Sequence, residues 1–347
     1  MKLTFVADVH IANHRWMGGA VQAGLNDRCR EHLAVLRRAV ERSKELGCRA
    51  LFVLGDLFDS SRPEPQVIAA AQEALRGVEA YVIAGNHDVV SSAAGDHALG
   101  PLDGHDLVKV VERPELLEFD GLSVLCVPYQ PGDAREYVSK AWKKHVGTGF
   151  TLLLTHAGIL DDGTPPWLRN AANALPHDWN LEVDAWLSGD WHRHKRWGKN
   201  VAQVGTLVPH SFSDEGLDGY GKLAVFDTEK GLSFEEVPGP RFVKLAAGDD
   251  LPRAPRGCRL YVRATADADR LADVRAHGLQ MVEQGAIAGF EAGLDEKEVQ
   301  ATTRSAVGAA RATESMGEAL EAYVREMQLD LGIDRAAVLE RCRGFLR

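Results

Sequence analysis

Cysteine is scarce in this chain. Five residues in 347 (Cys29, Cys48, Cys126, Cys258 and Cys342) are scattered, and none stands in a CxxC pair. That excludes a disulfide framework and a thiolate zinc ribbon, and suits free thiols in a reducing compartment. Long apolar runs are missing as well. The opening MKLTFVADVH meets an acidic residue too early for a signal peptide, and no stretch reaches membrane-spanning length. The expectation is a cytoplasmic protein with no membrane partner. An excess of positive charge is also absent. Lys and Arg number 40 against 50 Asp and Glu, a formal charge of −10. This counts against a general DNA-coating protein, yet leaves room for an enzyme whose local basic strip holds phosphates. Histidine all but disappears after His210, with only His277 beyond it out of 13. Metal chemistry, if present, therefore belongs to the first two thirds.

What is there reads as alternating strands and helices. Short apolar runs at Leu3–Ala7, Ala50–Leu54, Ala80–Ala84, Leu122–Val127, Thr151–Leu154 and Ala185–Leu187 suit strands buried on both faces. Between the first two, Asn26 is an N-cap, Leu33, Leu36 and Val40 recur at helical spacing, and Gly47 is a stop. Pro63 is expected to open the next helix. Lys222–Phe226 and Leu232–Val237 read as closing strands around a turn at Glu229–Gly231. The Val237-Pro-Gly-Pro240 break sets a boundary, giving a first domain at 1–238 and a small α+β module at 239–312. C-terminal helices are expected over 313–347, opened by the capping-box pattern Ser315-Met-Gly-Glu318.

Five segments carry the chemistry. They are Asp8-Val-His10, Gly55-Asp56-Leu-Phe-Asp59, Gly85-Asn86-His87-Asp88, Thr155-His156 and Gly189-Asp190-Trp-His192. Each follows an apolar run read as a strand, and ligands bind at the carboxyl ends of strands in α/β sheets. Carboxylates converging beside apolar strands repel one another and suffer desolvation. No Lys or Arg falls in these segments before Arg193. Divalent cations resolve the conflict. Mixed carboxylate, imidazole and amide donors suit Mn²⁺, Fe²⁺ or Zn²⁺ better than Ca²⁺. Two ions sharing one carboxylate would clamp a phosphate and activate a water.

The ordered set resembles the signature of the calcineurin-like metallophosphoesterases: DxH, GDxxD, GNHD, a lone His, then GHxH. Within that superfamily, Gly55-Asp-Leu-Phe-Asp-Ser-Ser-Arg-Pro63 and Gly205-Thr-Leu-Val-Pro-His-Ser-Phe-Ser-Asp-Glu-Gly216 look similar to the SbcD-type DNA-repair nucleases and their phage relatives. The resemblance implies an α/β fold, a two-sheet sandwich flanked by helices. It implies a first metal held by Asp8, His10 and His192, and a second by Asn86 and His156, with Asp56 bridging. It also implies that His87 acts at the scissile phosphate and that Asp59 hydrogen-bonds and orients His87. Asp190 stands where the family usually has a histidine ligand of the second metal, so a ligand role competes there with a solvated carboxylate. The cofactors implied are two divalent ions, Mn²⁺ first among them.

The activity expected is a metal-dependent DNA nuclease that hydrolyses phosphodiesters by hydroxide attack, in repair or recombination. A small-molecule phosphodiesterase or phosphatase, and a non-catalytic DNA-end or partner-binding subunit, are the alternatives. The implied partners are DNA and an SbcC-type coiled-coil ATPase docked on the C-terminal helices; a homodimer is a further option. Five of the seven tryptophans fall between residues 167 and 197. Trp186 suits a core position, whereas Trp167, after Pro165-Pro166, suits a substrate contact. Arg253, Arg256, Arg259 and Arg263 either track a phosphate backbone or form a solvated face.

Overall fold

The computed structural model describes residues 1–91, 96–145, 151–179 and 183–294. The alanine-rich stretch at 301–312, the C-terminal helices expected over 313–347 and Cys342 lie outside the described residues.

Two six-stranded sheets form the body. The first runs in the order Gly231–Glu236, Lys222–Asp227, Lys2–Val6, Ala50–Leu54, Ala80–Ile83, Val108–Val111. From Lys2–Val6 onward its strands are parallel, and the closing hairpin pairs antiparallel to them. The second runs Lys195–Trp197, Val201–Gln203, Ala185–Gly189, Thr151–His156, Leu122–Val127, Glu115–Phe119, with its four inner strands parallel.

The two-residue period of a strand explains why the runs are apolar throughout. Leu3, Phe5, Phe52 and Leu54 of the first sheet meet Val124, Cys126, Leu152, Leu154 and Leu187 of the second in one core. Their neighbours Val6, Leu51 and Val53 face the opposite way. They pack on helix Asp27–Glu45 and helix Pro65–Ala74. Leu125, Leu153 and Trp186 cover the second sheet's outer face, where helix Ala134–His145 lies. The result is a sandwich of two sheets flanked by helices.

Local chemistry sets the helix ends. Asn26 caps helix Asp27–Glu45, its side-chain oxygen accepting from Cys29 N at 2.9 Å. Gly47, just past the end, takes the left-handed φ of +65°. The second helix begins at Pro65 rather than Pro63. Both prolines fit a first-turn position, and the extended backbone of the preceding residue Glu64 decides between them.

A third sheet of three parallel strands, Pro240–Ala246, Arg259–Ala266 and Gly289–Leu294, carries helix Leu271–Glu283. It joins the sandwich through a buried aromatic and cationic cluster. The fully buried Arg28 guanidinium lies over Tyr261 at 4.6 Å and Phe242 at 5.3 Å. It also bonds Glu31, whose carboxylate takes the Tyr261 hydroxyl at 2.9 Å. Arg263 is committed in the same region. It pairs with Glu291 at 3.0 Å and lies over the Phe212 ring at 4.5 Å. It is an ion-paired cation, not a free one. Arg253, Arg256 and Arg259 are exposed.

Leu154 is fully buried between the two sheets. Leu154→Ala should lower unfolding stability by about 2–5 kcal/mol, the range for an uncollapsed core cavity, read as a shift in the urea midpoint. A loss below about 1 kcal/mol would show that the sheets close over the gap.

Candidate metal centre

The five motif segments converge at the carboxyl ends of the parallel strands of both sheets. Segments 8–11 and 56–59 run side by side. Val9 N and His10 N donate to Asp56 O at 2.9 and 3.0 Å, and Ile11 N donates to Leu57 O at 2.9 Å. Holding the chain this way requires left-handed backbone at Asp8 (φ 51°), His10 (φ 49°), Asp56 (φ 49°) and Asp190 (φ 93°). Non-glycine residues pay strain in this region, and such residues collect at functional sites. Close approach also demands glycine. A Cβ on Gly55 would stand 1.9 Å from His156 Nδ1, and one on Gly189 would stand 2.1 Å from Leu54 O.

Two donor clusters share Asp56. On one side, His10 Nε2 and His192 Nε2 are 3.2 Å apart, and His10 Nε2 lies 3.8 Å from Asp56 Oδ2. On the other, His156 Nε2 lies 3.4 Å from Asp56 Oδ2, 2.9 Å from Asn86 Oδ1 and 3.7 Å from Asp190 Oδ1. Ligand atoms of Asp8, Asp56 and His156 all fall within 4.8 Å of one another. Asp8 Oδ1 accepts from Asp190 N at 3.0 Å, tying the two sheets' loops together.

Two of the rings are aimed by their other nitrogen. His156 Nδ1 donates to Leu54 O at 2.8 Å, and His192 Nδ1 donates to Asp214 Oδ1 at 2.7 Å. Both leave Nε2 facing the centre, the arrangement that orients metal-bound imidazoles.

The electrostatics call for a cation. Asp8 and Asp56 are buried, and no Lys or Arg among the described residues pairs with Asp8, Asp56 or Asp190. Burial pushes the Asp8 carboxyl above its usual range. Burial, reinforced by Asp8 and Asp56, pushes Asp190 up to about 6 despite His156. Burial acts the same way on Asp56, but His156 and His10 outweigh it and hold its carboxyl low. Burial disfavours charge on His156, yet Asp56, Asp8 and Asp190 hold its ring well above the imidazole range. This donor set of carboxylates, imidazoles and one amide, with its lone pairs converging, fits divalent metal.

A family profile for the calcineurin-like phosphoesterases matches residues 1–194. The chain belongs to this family. This phosphoesterase is also 30% identical over 139 residues to the DNA double-strand break repair protein Mre11 of Methanopyrus kandleri. That match spans 36% of this chain and 29% of the relative, so the chain covers less than a third of that protein's length. Among solved structures it is similar to a purple acid phosphatase from yellow lupin seeds. The two are 14% identical, with 56% of this chain and 38% of that one covered and a TM-score of 0.36. It is similar, too, to the Pseudomonas putida nuclease MPE, at 21% identity, 46% and 64% coverage and a TM-score of 0.22. Enzymes of this family are hydrolases that use divalent metals, and the phosphoesterase carries residue groups suited to hold them.

One expected contact is overturned. Asp59 was expected to orient His87 through its carboxylate; His87 Nδ1 instead donates to the Asp59 backbone carbonyl at 3.0 Å. The carboxylate faces His10, with Asp59 Oδ1 3.1 Å from His10 Nδ1, close but out of line for a hydrogen bond. The pairing of segments 8–11 and 56–59 decides this, because it sets Asp59 beside the DxH turn. His87 is exposed, its ring edge-on to His10 at 4.7 Å. Trp186 is core, donating to Thr155 Oγ1 at 2.9 Å, and Trp167 is 79% exposed.

Three residues of the phosphoesterase's centre escaped the motif reading. Asp214 aims His192 and also accepts His210 N at 3.0 Å. His210 stands against His10 and His192, at 4.7 and 5.1 Å between rings. The buried Asp88 accepts Phe58 N and Gly85 N, both at 3.0 Å, locking two motif loops together. Asp88 lay inside the GNHD motif and Asp214 inside the 205–216 stretch, but nothing in either stretch showed which backbone would meet them.

Gly55→Ala should cost the phosphoesterase one metal equivalent, because the new Cβ and the φ of +87° displace His156. Metal content of the purified variant checks this; unchanged stoichiometry would show that the ring has room to move. Asp214→Ala should weaken metal affinity by about 10–100-fold, the usual loss when a ligand's orienting partner is removed. Competition with a chromogenic chelator reads it.

Proposed function

We propose that this phosphoesterase is a DNA nuclease using two divalent metal ions. The observation that carries the two-site reading is the Asp56 carboxylate, shared between the cluster of His10 and His192 and the cluster of Asn86 and His156. In support of DNA as substrate stands the similarity to a protein named for double-strand break repair. Asp8, His10, His192 and Asp56 would hold one ion; Asp56, Asn86, His156 and Asp190 would hold the other. When bound, such ions supply Lewis acidity toward a phosphate and an activated water; Mn²⁺ is the metal we favour.

The chain's own residues do the rest. Leu54 O and Asp214 keep the His156 and His192 rings in the tautomer that presents Nε2. Asp56 Oδ1 accepts His87 N at 2.8 Å, so the residue whose carboxylate lies between the two clusters also fixes the backbone of His87. His87 Nδ1 is spent on the Asp59 carbonyl. Its Nε2 is left at the exposed mouth of the site; as the imidazolium, with Nδ1–H kept on that carbonyl, the ring can give its Nε2 proton to the leaving oxygen as general acid. Asp190, a shorter and charged donor where an imidazole is usual, would hold a second ion more tightly and leave it less acidic.

Digestion of end-labelled single- and double-stranded DNA in Mn²⁺ tests the reading, with cleavage expected and its loss expected in chelator. Turnover of a chromogenic phosphodiester with no DNA cleaved would instead favour a small-molecule enzyme. His87→Ala should keep both metals and slow cleavage by about 10²–10⁴-fold, the effect of losing a general acid. A variant with lost metal, or with full activity, would remove His87 from this role. Anomalous diffraction from a Mn²⁺-soaked crystal should show two occupied positions, with the Asp190 carboxylate turned toward the one held by Asn86 and His156. One position, or an Asp190 turned to solvent, would point to a decayed second site.

A further inference from the structure

Beside the metal centre, across a single turn of chain, lies a second cavity of about 410 Å³. That volume is in the range of small-ligand sites. The turn Gly189–Arg193 separates the two. Asp190 and His192 contribute to the metal cluster, whereas the intervening Trp191 and the following Arg193 line the cavity. Trp191 is set against Gly158, two residues past His156, where any Cβ would come within 2.2 Å of the indole. Trp197 lines the cavity too. Its Nε1 donates to Asp161 Oδ2 at 2.8 Å, and the Lys195 ammonium lies 5.4 Å from its ring centroid.

The carboxylate, hydroxyl and amide side chains around this cavity are already engaged. The Asp161 carboxylate takes the Lys195 ammonium and the Trp197 indole. Thr164 Oγ1 accepts from Asp161 N at 2.9 Å. Gln203 accepts Ile159 N at 3.0 Å and donates to Gly189 O at 2.6 Å. His194 Nδ1 is within 3.0 Å of Gln203 O. What the cavity offers a ligand is aromatic surface and, on its wall, an exposed Arg193 that makes no ion pair among the described residues. Two indole rings, that of Trp197 with its N–H already taken by Asp161, next to a cation and a phosphate-handling centre, match a flat aromatic ring attached to a phosphate chain.

We propose that this cavity seats an unpaired nucleobase of the strand whose phosphate lies at the metal centre, held by stacking against Trp191 and Trp197 and without choice among the four bases. Arg193 meets the phosphate between that base and the centre. The proposal rests on the nuclease reading and adds how the enzyme grips single-stranded DNA.

The test measures binding of fluorescently labelled oligomers of one length to the full chain, with Ca²⁺ replacing Mn²⁺ to slow turnover. Oligothymidylate, oligodeoxyadenylate and a fully abasic deoxyribose-phosphate oligomer are compared by anisotropy. The two homopolymers should bind within about threefold of each other and about tenfold or more tighter than the abasic chain, as expected for stacked bases. Trp191→Ala should shrink that advantage to about twofold, and Trp191→Phe should restore part of it. Gly163→Phe is the second variant. It leaves Trp191 and every metal ligand in place and fills an exposed rim position where an added Cβ meets only Asp161 Oδ1 at 3.4 Å and Lys195 Nζ at 3.8 Å; it should abolish the advantage likewise. Equal binding of the abasic chain by the native protein, a preference above about tenfold for one base, or an advantage that survives in both variants would overturn the proposal. Cleavage of end-labelled DNA is scored separately. DNA cut without any base-dependent binding removes the base seat and leaves the nuclease; base-dependent binding without cutting removes the nuclease and leaves a nucleotide seat.

Discussion

Compensation of buried negative charge at Asp56 is the constraint on which the rest of the structure depends. Asp56 and Asp8 sit at the ends of apolar strands with almost no solvent, and Asp190 adds a third carboxylate. Isolated carboxylates in such a place would cost several kcal/mol each or take up protons. Three imidazoles, of His10, His156 and His192, gather around them, and the half-buried Asn86 supplies an amide oxygen. This crowding is possible only because the backbone gives way. Left-handed turns at Asp8, His10, Asp56 and Asp190, with glycine at 55 and 189, let four loops approach within hydrogen-bonding distance. The two sheets are the means of paying for that strain, since a large shared apolar core fixes the strand ends rigidly.

The three-stranded module takes part in the same construction. Gly216 N donates to Phe242 O at 2.8 Å, and Glu215 pairs with Lys244 at 2.8 Å. These contacts pin the loop that carries Asp214 immediately before them. Arg28, beneath Tyr261 and Phe242, donates to His210 O at 3.2 Å in that loop. The module is thus linked by short contacts, an exposed ion pair among them, to the residue that aims His192. A cationic side chain is tolerated with no exposure because it bonds Glu31 and a carbonyl and lies over two aromatic rings.

Particular residues show how far pattern reading reached. The strand runs were legible because parallel strands buried on both faces must be continuously apolar, and the structure has a strand at each. Asn26 and Gly47 were legible because helix ends have few chemical solutions. Strands Val108–Val111, Glu115–Phe119 and Val201–Gln203 and helix Ala134–His145 were not singled out. They are short or half-exposed, so their patterns barely rise above those of loops. Pro65 displaced Pro63 by a difference of two residues that local propensity does not resolve.

The amino-acid order alone determined which side chains stand at the strand ends, because each motif abuts an apolar run and a strand can end only there. It also determined the need for cations, since the motif segments carry acids and imidazoles without Lys or Arg before Arg193. Only the tertiary structure decided the pairings across distance. Asp59 turned to His10 because two strand-end loops run side by side, and Asp214 reached His192 because the module holds its loop in place. Arg263 left the list of free cations when folding set Glu291 and Phe212 beside it. Such contacts join residues far apart in the chain. They depend on the relative placement of whole sheets, which no local pattern encodes.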